Sequence, residues 1–364
     1  MFSPADEHFM ARALELAARG LFTTTPNPRV GSVIVRDGAI VGEGFHARAG
    51  EPHAETNALR AAGERAAGAT VYLTLEPCSH HGRTPPCVAA LIAAKVRRVV
   101  AAMQDPNPKV AGDGFARLRA AGVEVHAGLL ADEARELNIG FVARMSRGRP
   151  WVRVKVAASL DGKTALANGR SQWITGEEAR ADGHRWRARA CAVLTGIGTV
   201  KDDDPRLTVR AVETPRQPLR VLVDSRLEAP LHARLFADGN ALVATAVDHR
   251  EKAARLRDRG AEVVVLPNST GKVELADLMR ELARRELNEI HVEAGYKLNG
   301  SLVAAGVVDE LLVYLAPSLI GESGSGMFNL PALDDLAQRR RLIWRDVLRV
   351  GEDLRVVARF APTA

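Results

Sequence analysis

His53-Ala54-Glu55, followed by Glu76-Pro77-Cys78-Ser79-His80-His81-Gly82-Arg83-Thr84-Pro85-Pro86-Cys87, decides how the first half of this 364-residue chain is read. His53, Cys78 and Cys87 are ligands of the kind a catalytic zinc takes, with a fourth position left to water whose pKa falls to roughly 7. Glu55, two residues after the histidine, is a carboxylate that can carry protons to a leaving amine. The set suits hydrolysis at an amidine-like carbon. The metal motifs fall on helix starts. His53 opens a helical stretch to Ala66, Cys78 follows a strand over Thr70 to Leu75, and Pro85-Pro86 precedes a helix from Cys87 to Lys95. Helix N-termini at such a site favour thiolate and hydroxide over their protonated forms. A purely structural zinc is the competing reading, with His80 or His81 as a fourth ligand, but it leaves Glu55 without a purpose.

Outward from this motif, Ala/Leu-rich helical patterns alternate with short Val/Ile runs, which predicts α/β architecture in both halves. A helix is expected over Ala5 to Arg19. Strands over Val30 to Arg36 and Ala39 to Phe45 meet at Asp37-Gly38, a hairpin turn pair. Further units run through Val96 to Met103, Gly112 to Ala121 and Val123 to Val125, closing with a helix from Asp132 to Met145. Arg147-Gly148-Arg149-Pro150 breaks the pattern, and a strand begins at Trp151. Domains are therefore expected over residues 1–147 and 148–364.

Composition of 46% hydrophobic and 26% charged residues fits a globular chain of about two domains. No apolar run approaches the roughly 18 residues of a spanning helix, and the start lacks a secretory pattern, so no membrane contact and a cytoplasmic location are expected. Three cysteines are too few for a disulfide framework; Cys191 reads as core. The charge of +6 is scattered and aromatic content is 4%, which argues against nucleic acid.

The general pattern for this zinc chemistry has two residues between its cysteines; here there are eight, Ser79 to Pro86. That insertion, His53-Ala54-Glu55 and Thr25-Pro26-Asn27-Pro28-Arg29-Val30-Gly31 together closely resemble the bifunctional riboflavin-biosynthesis deaminase/reductase family, over nearly the whole chain. In the second half Lys155-Val156-Ala157-Ala158-Ser159-Leu160-Asp161-Gly162-Lys163 and Ser171-Gln172-Trp173-Ile174-Thr175 resemble its reductase. The resemblance implies a cytidine-deaminase-like three-layer domain followed by a dihydrofolate-reductase-like α/β domain. It implies zinc-dependent deamination of 2,5-diamino-6-(5-phosphoribosylamino)pyrimidin-4(3H)-one, then NADPH-dependent reduction of the product's ribosyl group to ribityl. One Zn2+ per deaminase site and NADPH are the implied cofactors. Small phosphoribosyl pyrimidines are the implied substrates, and a homo-oligomer, at least a dimer through the reductase domain, is implied as well.

By the same resemblance, cofactor contacts fall on Ala157, Trp173, Thr199, Asp203, Ser225 and on Gly295, Tyr296, Lys297, Leu298, Asn299, Gly300 and Ser301. Substrate contacts fall on Ser171, Arg187, Leu207, Arg210 and Glu293, and in the deaminase on Asn27, His46, Asp105 and Asn107. The residues themselves leave alternatives open. Thr195-Gly196-Ile197-Gly198-Thr199-Val200 is either a phosphate cradle or a tight turn that needs glycines for packing, and Ile290 to Gly295 repeats the strand-to-helix form. The dinucleotide G-x-G-x-x-G fingerprint is absent.

Arg187 and Arg210 suit a phosphate clamp or a solvated surface. Lys155 and Asp203 suit orientation of the sugar, although Asp202 to Asp204 also suit caps and turns. His80, His81 and Arg83 suit a phosphate contact or a solvated loop. Asp105-Pro106-Asn107-Pro108 is also an ordinary turn. Glu76 either binds a backbone group or ends its strand. Val307 to Leu315 is a candidate late strand. Two other functions compete: a nucleic-acid deaminase with an accessory domain, and a non-catalytic zinc-stabilised nucleotide sensor. The missing basic stripe and the long cysteine loop weigh against the former, and Glu55 against the latter.

Overall fold

The computed structural model describes residues 2–79, 86–108 and 110–361. It divides into two compact units, Met1–Gly148 and Arg149–Ala364.

The first unit runs α1 (Pro4–Ala18), β1 (Gly31–Arg36), β2 (Ala39–Phe45), α2 (Ala54–Ala62), β3 (Thr70–Leu73), α3 (Cys87–Ala93), β4 (Arg98–Ala101), α4 (Asp113–Ala120), β5 (Glu124–Ala127), α5 (Ala131–Leu137) and α6 (Ile139–Arg147). Its sheet has the order β2-β1-β3-β4-β5, with β1 antiparallel to both neighbours and β3, β4 and β5 parallel. Strand periodicity builds the layers. Val33, Val35, Tyr72 and Val100 pack with Met10, Leu16 and Phe141 on one face. Ile34, Val71, Leu73 and Val99 pack with Ala58, Leu91 and Leu118 on the other. Asp37 and Gly38 both take positive φ, 53° and 77°, as a two-residue hairpin requires.

The helix expected over Asp132 to Met145 is broken at Asn138. The Asn138 side chain accepts from Arg29 N–H at 2.7 Å and donates to Arg29 O at 2.9 Å, acting as a backbone partner to the segment before β1. The Arg29 guanidinium donates to Leu137 O at 2.6 Å across the same break. A long-range tie thus overrides local helical periodicity. Gly31 is fixed by close packing, because a Cβ there would stand 1.9 Å from Ala13 O. Within the Thr25 to Gly31 motif, Arg29 and Gly31 are therefore architectural.

The second unit runs β6 (Trp151–Ser159), β7 (Lys163–Ala165), α7 (Glu177–Arg189), β8 (Ala192–Gly196), α8 (Ile197–Asp203), β9 (Leu219–Val223), β10 (Ala241–Thr245), α9 (Arg250–Arg257), β11 (Ala261–Val265), α10 (Leu275–Arg284), β12 (Glu289–Val292), α11 (Tyr296–Ala304), β13 (Glu310–Ala316), β14 (Ser325–Gly326), β15 (Leu342–Val350) and β16 (Asp353–Phe360). The main sheet has the order β11-β10-β9-β8-β12-β6-β13-β16-β15. Its first seven strands are mutually parallel, and β16 and β15 are antiparallel.

Val152, Val154, Ile290, Val292, Leu311 and Leu302 form the core of one face. The opposite face carries charge beneath α7. Arg153, 1% exposed, donates to Glu310 and Glu289, which also accept from Arg359 and Arg189. Its guanidinium lies 4.3 Å from the Trp186 ring centroid. Cys191 is core, its sulfur accepting from Asn288 N–H at 3.2 Å.

Candidate active sites

His53 caps α2, Cys87 is the first residue of α3, and Cys78 lies in the loop beyond β3. His53 Nδ1 is 3.6 Å from Cys78 Sγ and 3.3 Å from Cys87 Sγ, and the three donor atoms lie within 4.8 Å of one another. A tetrahedral zinc separates nitrogen and sulfur donors by roughly 3.5 Å, so these residues fit that ion. They are the one such group among the described residues. The Cys87 N–H, at the start of its helix, donates to Cys78 Sγ at 3.3 Å. Cys78 is the thiol that ionises first: a hydrogen bond from Cys87 lowers its pKa most, burial opposes, and His53 adds to the lowering. The hydrogen bond to Cys78, together with burial, pushes the Cys87 thiol up.

Glu55 stands in the first turn of α2 and is 3% exposed. Burial, joined by the charge of Cys78, pushes its carboxyl up to about 7, against the pull of its own backbone N–H and His53. A carboxyl poised there can both take and give a proton at neutral pH.

The His46 ring meets that of His53 edge-on, with centroids 5.2 Å apart. His46 Nδ1 lies 3.2 Å from the Pro52 carbonyl, which can only accept, so Nδ1 carries the proton. Burial lowers the His46 pKa, which keeps the ring neutral. Its Nε2 then accepts from Asn27 Nδ2 at 3.0 Å, leaving Asn27 Oδ1 as an acceptor. Asp105 is buried and pushed up to about 6, chiefly by burial, and its Oδ1 accepts from Asn107 N–H at 2.8 Å. His80, His81 and Arg83 lie outside the described residues.

In the second unit the expected contacts gather at the carboxyl ends of parallel strands, where α/β sheets take ligands. Ala157 lies near the end of β6, and Thr199 follows β8 within α8. Ser225 follows β9, and Glu293 and Gly295 follow β12. Gly295 caps α11, so the amides of Tyr296, Lys297 and Leu298 lack intrahelical partners. A Cβ on Gly295 would stand 3.9 Å from Thr199 Oγ1, and one on Gly196 would stand 3.0 Å from Leu298, which places the two glycine turns side by side. Asn299 and Gly300 are turned away: both are buried, Asn299 donates to Met327 O, and a Cβ at Gly300 would meet Asn329 O at 2.0 Å. Ser301 is exposed and donates to Lys297 O. Ser225 Oγ accepts from Val273 N–H at 3.1 Å, and Gln172 donates to Asp203 at 3.4 Å. Trp173 is 70% exposed with the Arg180 guanidinium 4.8 Å from its ring centroid. Ser171 is half-buried.

Arg187 is already engaged. It grips Glu293 with two N–H groups and donates to Thr208 O at 3.1 Å. Burial works to raise the Glu293 pKa, but Arg187 holds it well below its ordinary value. Burial lowers the pKa of Lys155, with Glu293 opposing and Arg187 adding. Leu207 is buried with φ 55°, and the exposed Arg210 donates to Thr208. His184, one turn before Arg187, was not singled out by its sequence; its Nδ1 accepts from Arg210 N–H at 3.3 Å. Burial, Arg187 and Arg210 push its pKa down to about 4. The legible signal is the i, i+3 spacing from Arg187.

Residues 3–103 match the family model described as the cytidine and deoxycytidylate deaminase zinc-binding region, and residues 150–356 match the RibD C-terminal domain. Together with the His53, Cys78 and Cys87 set, these define a bifunctional enzyme in which a zinc deaminase is joined to a reductase. The chain is 51% identical over 363 residues to the riboflavin biosynthesis protein RibD of Escherichia coli (strain K12), covering 96% of this chain and 98% of that protein. It is 46% identical to the protein of the same name from Haemophilus influenzae, covering 98% and 97%. The solved structure of Acinetobacter baumannii RibD, form 1, is 44% identical with a TM-score of 0.92, covering 98% of this chain and 99% of that chain. A Thermotoga maritima diaminohydroxyphosphoribosylaminopyrimidine deaminase/5-amino-6-(5-phosphoribosylamino)uracil reductase is 34% identical with a TM-score of 0.88, covering 98% and 99%. The chain belongs to the RibD family of riboflavin-biosynthesis proteins. The expected cytidine-deaminase-like and dihydrofolate-reductase-like domains both hold, and neither the nucleic-acid deaminase nor the sensor is favoured.

Proposed function

We propose that the first unit deaminates 2,5-diamino-6-(5-phosphoribosylamino)pyrimidin-4(3H)-one and that the second reduces the ribosyl group of the product to ribityl with NADPH. The convergence of His53, Cys78 and Cys87 beside the buried Glu55 carries this reading. Those three residues would hold zinc, which when bound supplies the Lewis acidity that makes water a nucleophile near neutral pH. Glu55 takes a proton from the attacking water and delivers one to the departing amine. Asn27 Oδ1, oriented through His46, and Asp105 read the pyrimidine edge, and Asn107 steadies Asp105.

In the second unit the free amides of Tyr296, Lys297 and Leu298 suit a phosphate-bearing cofactor, as do Thr199 and Ser225 at neighbouring strand ends. Ala157, Asp203 and the face of Trp173 complete the cofactor side. NADPH supplies hydride, and the protein aligns it with the sugar carbon and excludes water. Arg210 receives the ribotide phosphate beside Leu207 and Ser171. Arg187, neutralised by Glu293, orients that carboxylate and Lys155 toward the sugar. Assembly as a dimer through this unit is supported by edge strand β15. It exposes Leu342, Ile343, Trp344, Val347 and Leu348, an apolar row that water disfavours. Among the described residues no helix is long and apolar enough to cross a membrane, and a cytoplasmic location accords with that.

The test is ammonia release and NADPH oxidation in one pot with the diaminopyrimidinone ribotide. Ammonia followed by stoichiometric NADPH oxidation is expected; ammonia alone would remove the reductase assignment, and neither signal from metal-replete protein would overturn both. For the dimer, Trp344→Glu should halve the mass seen by light scattering, and an unchanged mass would move the interface elsewhere.

A further inference from the structure

Glu76 is 3% exposed and lies on the strand side of Pro77-Cys78, and its carboxylate is taken up by backbone donors from a later segment. Its Oε2 accepts from Asp105 N–H at 3.1 Å and from Gly112 N–H at 3.0 Å, and its Oε1 accepts from Phe115 N–H at 3.2 Å. Three backbone donors spread over residues 105–115 thus converge on one side chain. Phe115 is the third residue of α4, whose own cap, Gly112, has no side chain to offer. Glu76 supplies the capping carboxylate from another part of the chain, where the helix dipole favours a negative charge. The approach is close: a Cβ on Gly114 would stand 2.3 Å from Pro77 O and 3.1 Å from Glu76 Oε1. Two of these amides, at Asp105 and Phe115, are buried, so the geometry is costly to alter: released from Glu76, each would face no water.

We infer that Glu76 is a positioning residue of the deaminase, fixing the distance between the metal loop and the segment that carries Asp105 and Asn107, and so setting how tightly the pyrimidine is gripped. The inference rests on the reading that Asp105 contacts the substrate. Only a carboxylate serves here. Its two oxygens offer about four lone-pair sites and no donor, whereas the amide of glutamine would turn N–H groups toward backbone N–H groups. Release of Asp105 and α4 would loosen substrate binding while leaving the His53, Cys78 and Cys87 donors in place, since none of the three bonds reaches them.

The experiment compares Glu76→Gln, Asp105→Asn and wild type in zinc-replete full-length protein. It reads zinc content, KM and kcat for ammonia release, and amide hydrogen exchange at Asp105, Gly112 and Phe115. Glu76→Gln is expected to keep stoichiometric zinc, to raise KM about tenfold with kcat nearly unchanged, and to expose those three amides to exchange while β3 stays protected. An unchanged KM in Glu76→Gln, with Asp105→Asn raising it, overturns the inference alone. An unchanged KM in Asp105→Asn overturns the substrate contact on which it rests. Loss of zinc in step with kcat also overturns it, making Glu76 a support of the metal loop. Exchange reads the geometry directly, so protection retained at all three amides counts against the inference even if catalysis changes.

Discussion

Replacing Glu55 with Gln preserves side-chain volume in the first turn of α2 and removes the proton carrier alone. The site is closed to solvent at this residue, which is 3% exposed, so bulk water cannot substitute for it. General acid–base catalysis contributes about 10² to 10⁴ in rate, or about 2.7 to 5.5 kcal/mol of barrier. Ammonia release should fall by at least the lower figure, with zinc content unchanged and reduction of pre-deaminated ribotide at wild-type rate. The wild-type pH profile follows from the same carboxyl. Its folded pKa is raised, so the basic form disappears as pH falls through that value, and ammonia release should drop about tenfold per pH unit on the acid side. Burial sets the limit of about 7 against an ordinary 4.5, and a dication beside the carboxylate draws the break down into that interval. A coupled ammonia assay at saturating substrate, repeated across pH, measures both effects. A Gln variant retaining more than a tenth of wild-type kcat would refute the assignment of Glu55, as would equal loss of the reductase reaction.

Removal of zinc by chelation should abolish ammonia release but spare reduction of pre-deaminated ribotide, and re-addition should restore the first activity; loss of both would contradict separate sites. Asp6 accepts from Ser3 N–H, Tyr72 and Arg98, which outweigh burial and hold its carboxyl below the ordinary 3.8. This contribution is complete above the unfolded value and fades as pH falls through the folded one. Asp6→Asn should therefore cost about 2 kcal/mol at neutral pH, with the gap to wild type closing in acid, as read by unfolding of the first unit. His184, pushed down to about 4, stays neutral at pH 7, so ribotide KM for reduction should show no break near 6.5. His184→Leu should raise that KM several-fold, whereas His184→Gln, which keeps an acceptor for Arg210 N–H, should raise it less.

The metal set was legible because its chemistry is local: ligand types and spacing name the ion, and short Val/Ile runs such as Val33-Ile34-Val35 announce α/β strands, here covered on both faces. What escaped was carried by long-range partners. The break at Asn138 depends on Arg29, 109 positions away, so helical periodicity runs through it unmarked. Arg187 read as either a phosphate clamp or a solvated surface cation, because nothing near it in sequence reveals Glu293, 106 positions on, with which it pairs. Gly295 to Ser301 read as one contact segment, yet helical rotation turns Asn299 and Gly300 into the interior. The Asn27 amide was placed at the site by resemblance, while its orientation follows only from the proton on His46.

The charges buried beneath α7 alternate in a line, Arg189, Glu289, Arg153, Glu310 and Arg359, with the two outer arginines 15% and 17% exposed and the inner three almost sealed. Each acid has two basic neighbours, so loss of Arg153 leaves no carboxylate stranded, whereas loss of either glutamate leaves the sealed arginine leaning on a single partner. Mutational tolerance should therefore follow place in the line and not depth: Arg153, as enclosed as the two glutamates, is more replaceable than either, by a long apolar side chain such as Met. Arg153 also sits in direct register with Glu310 on β13, so a one-residue slip toward Leu311 would set an arginine against a leucine. The line acts as a checksum on strand alignment, written in charge on an otherwise greasy sheet.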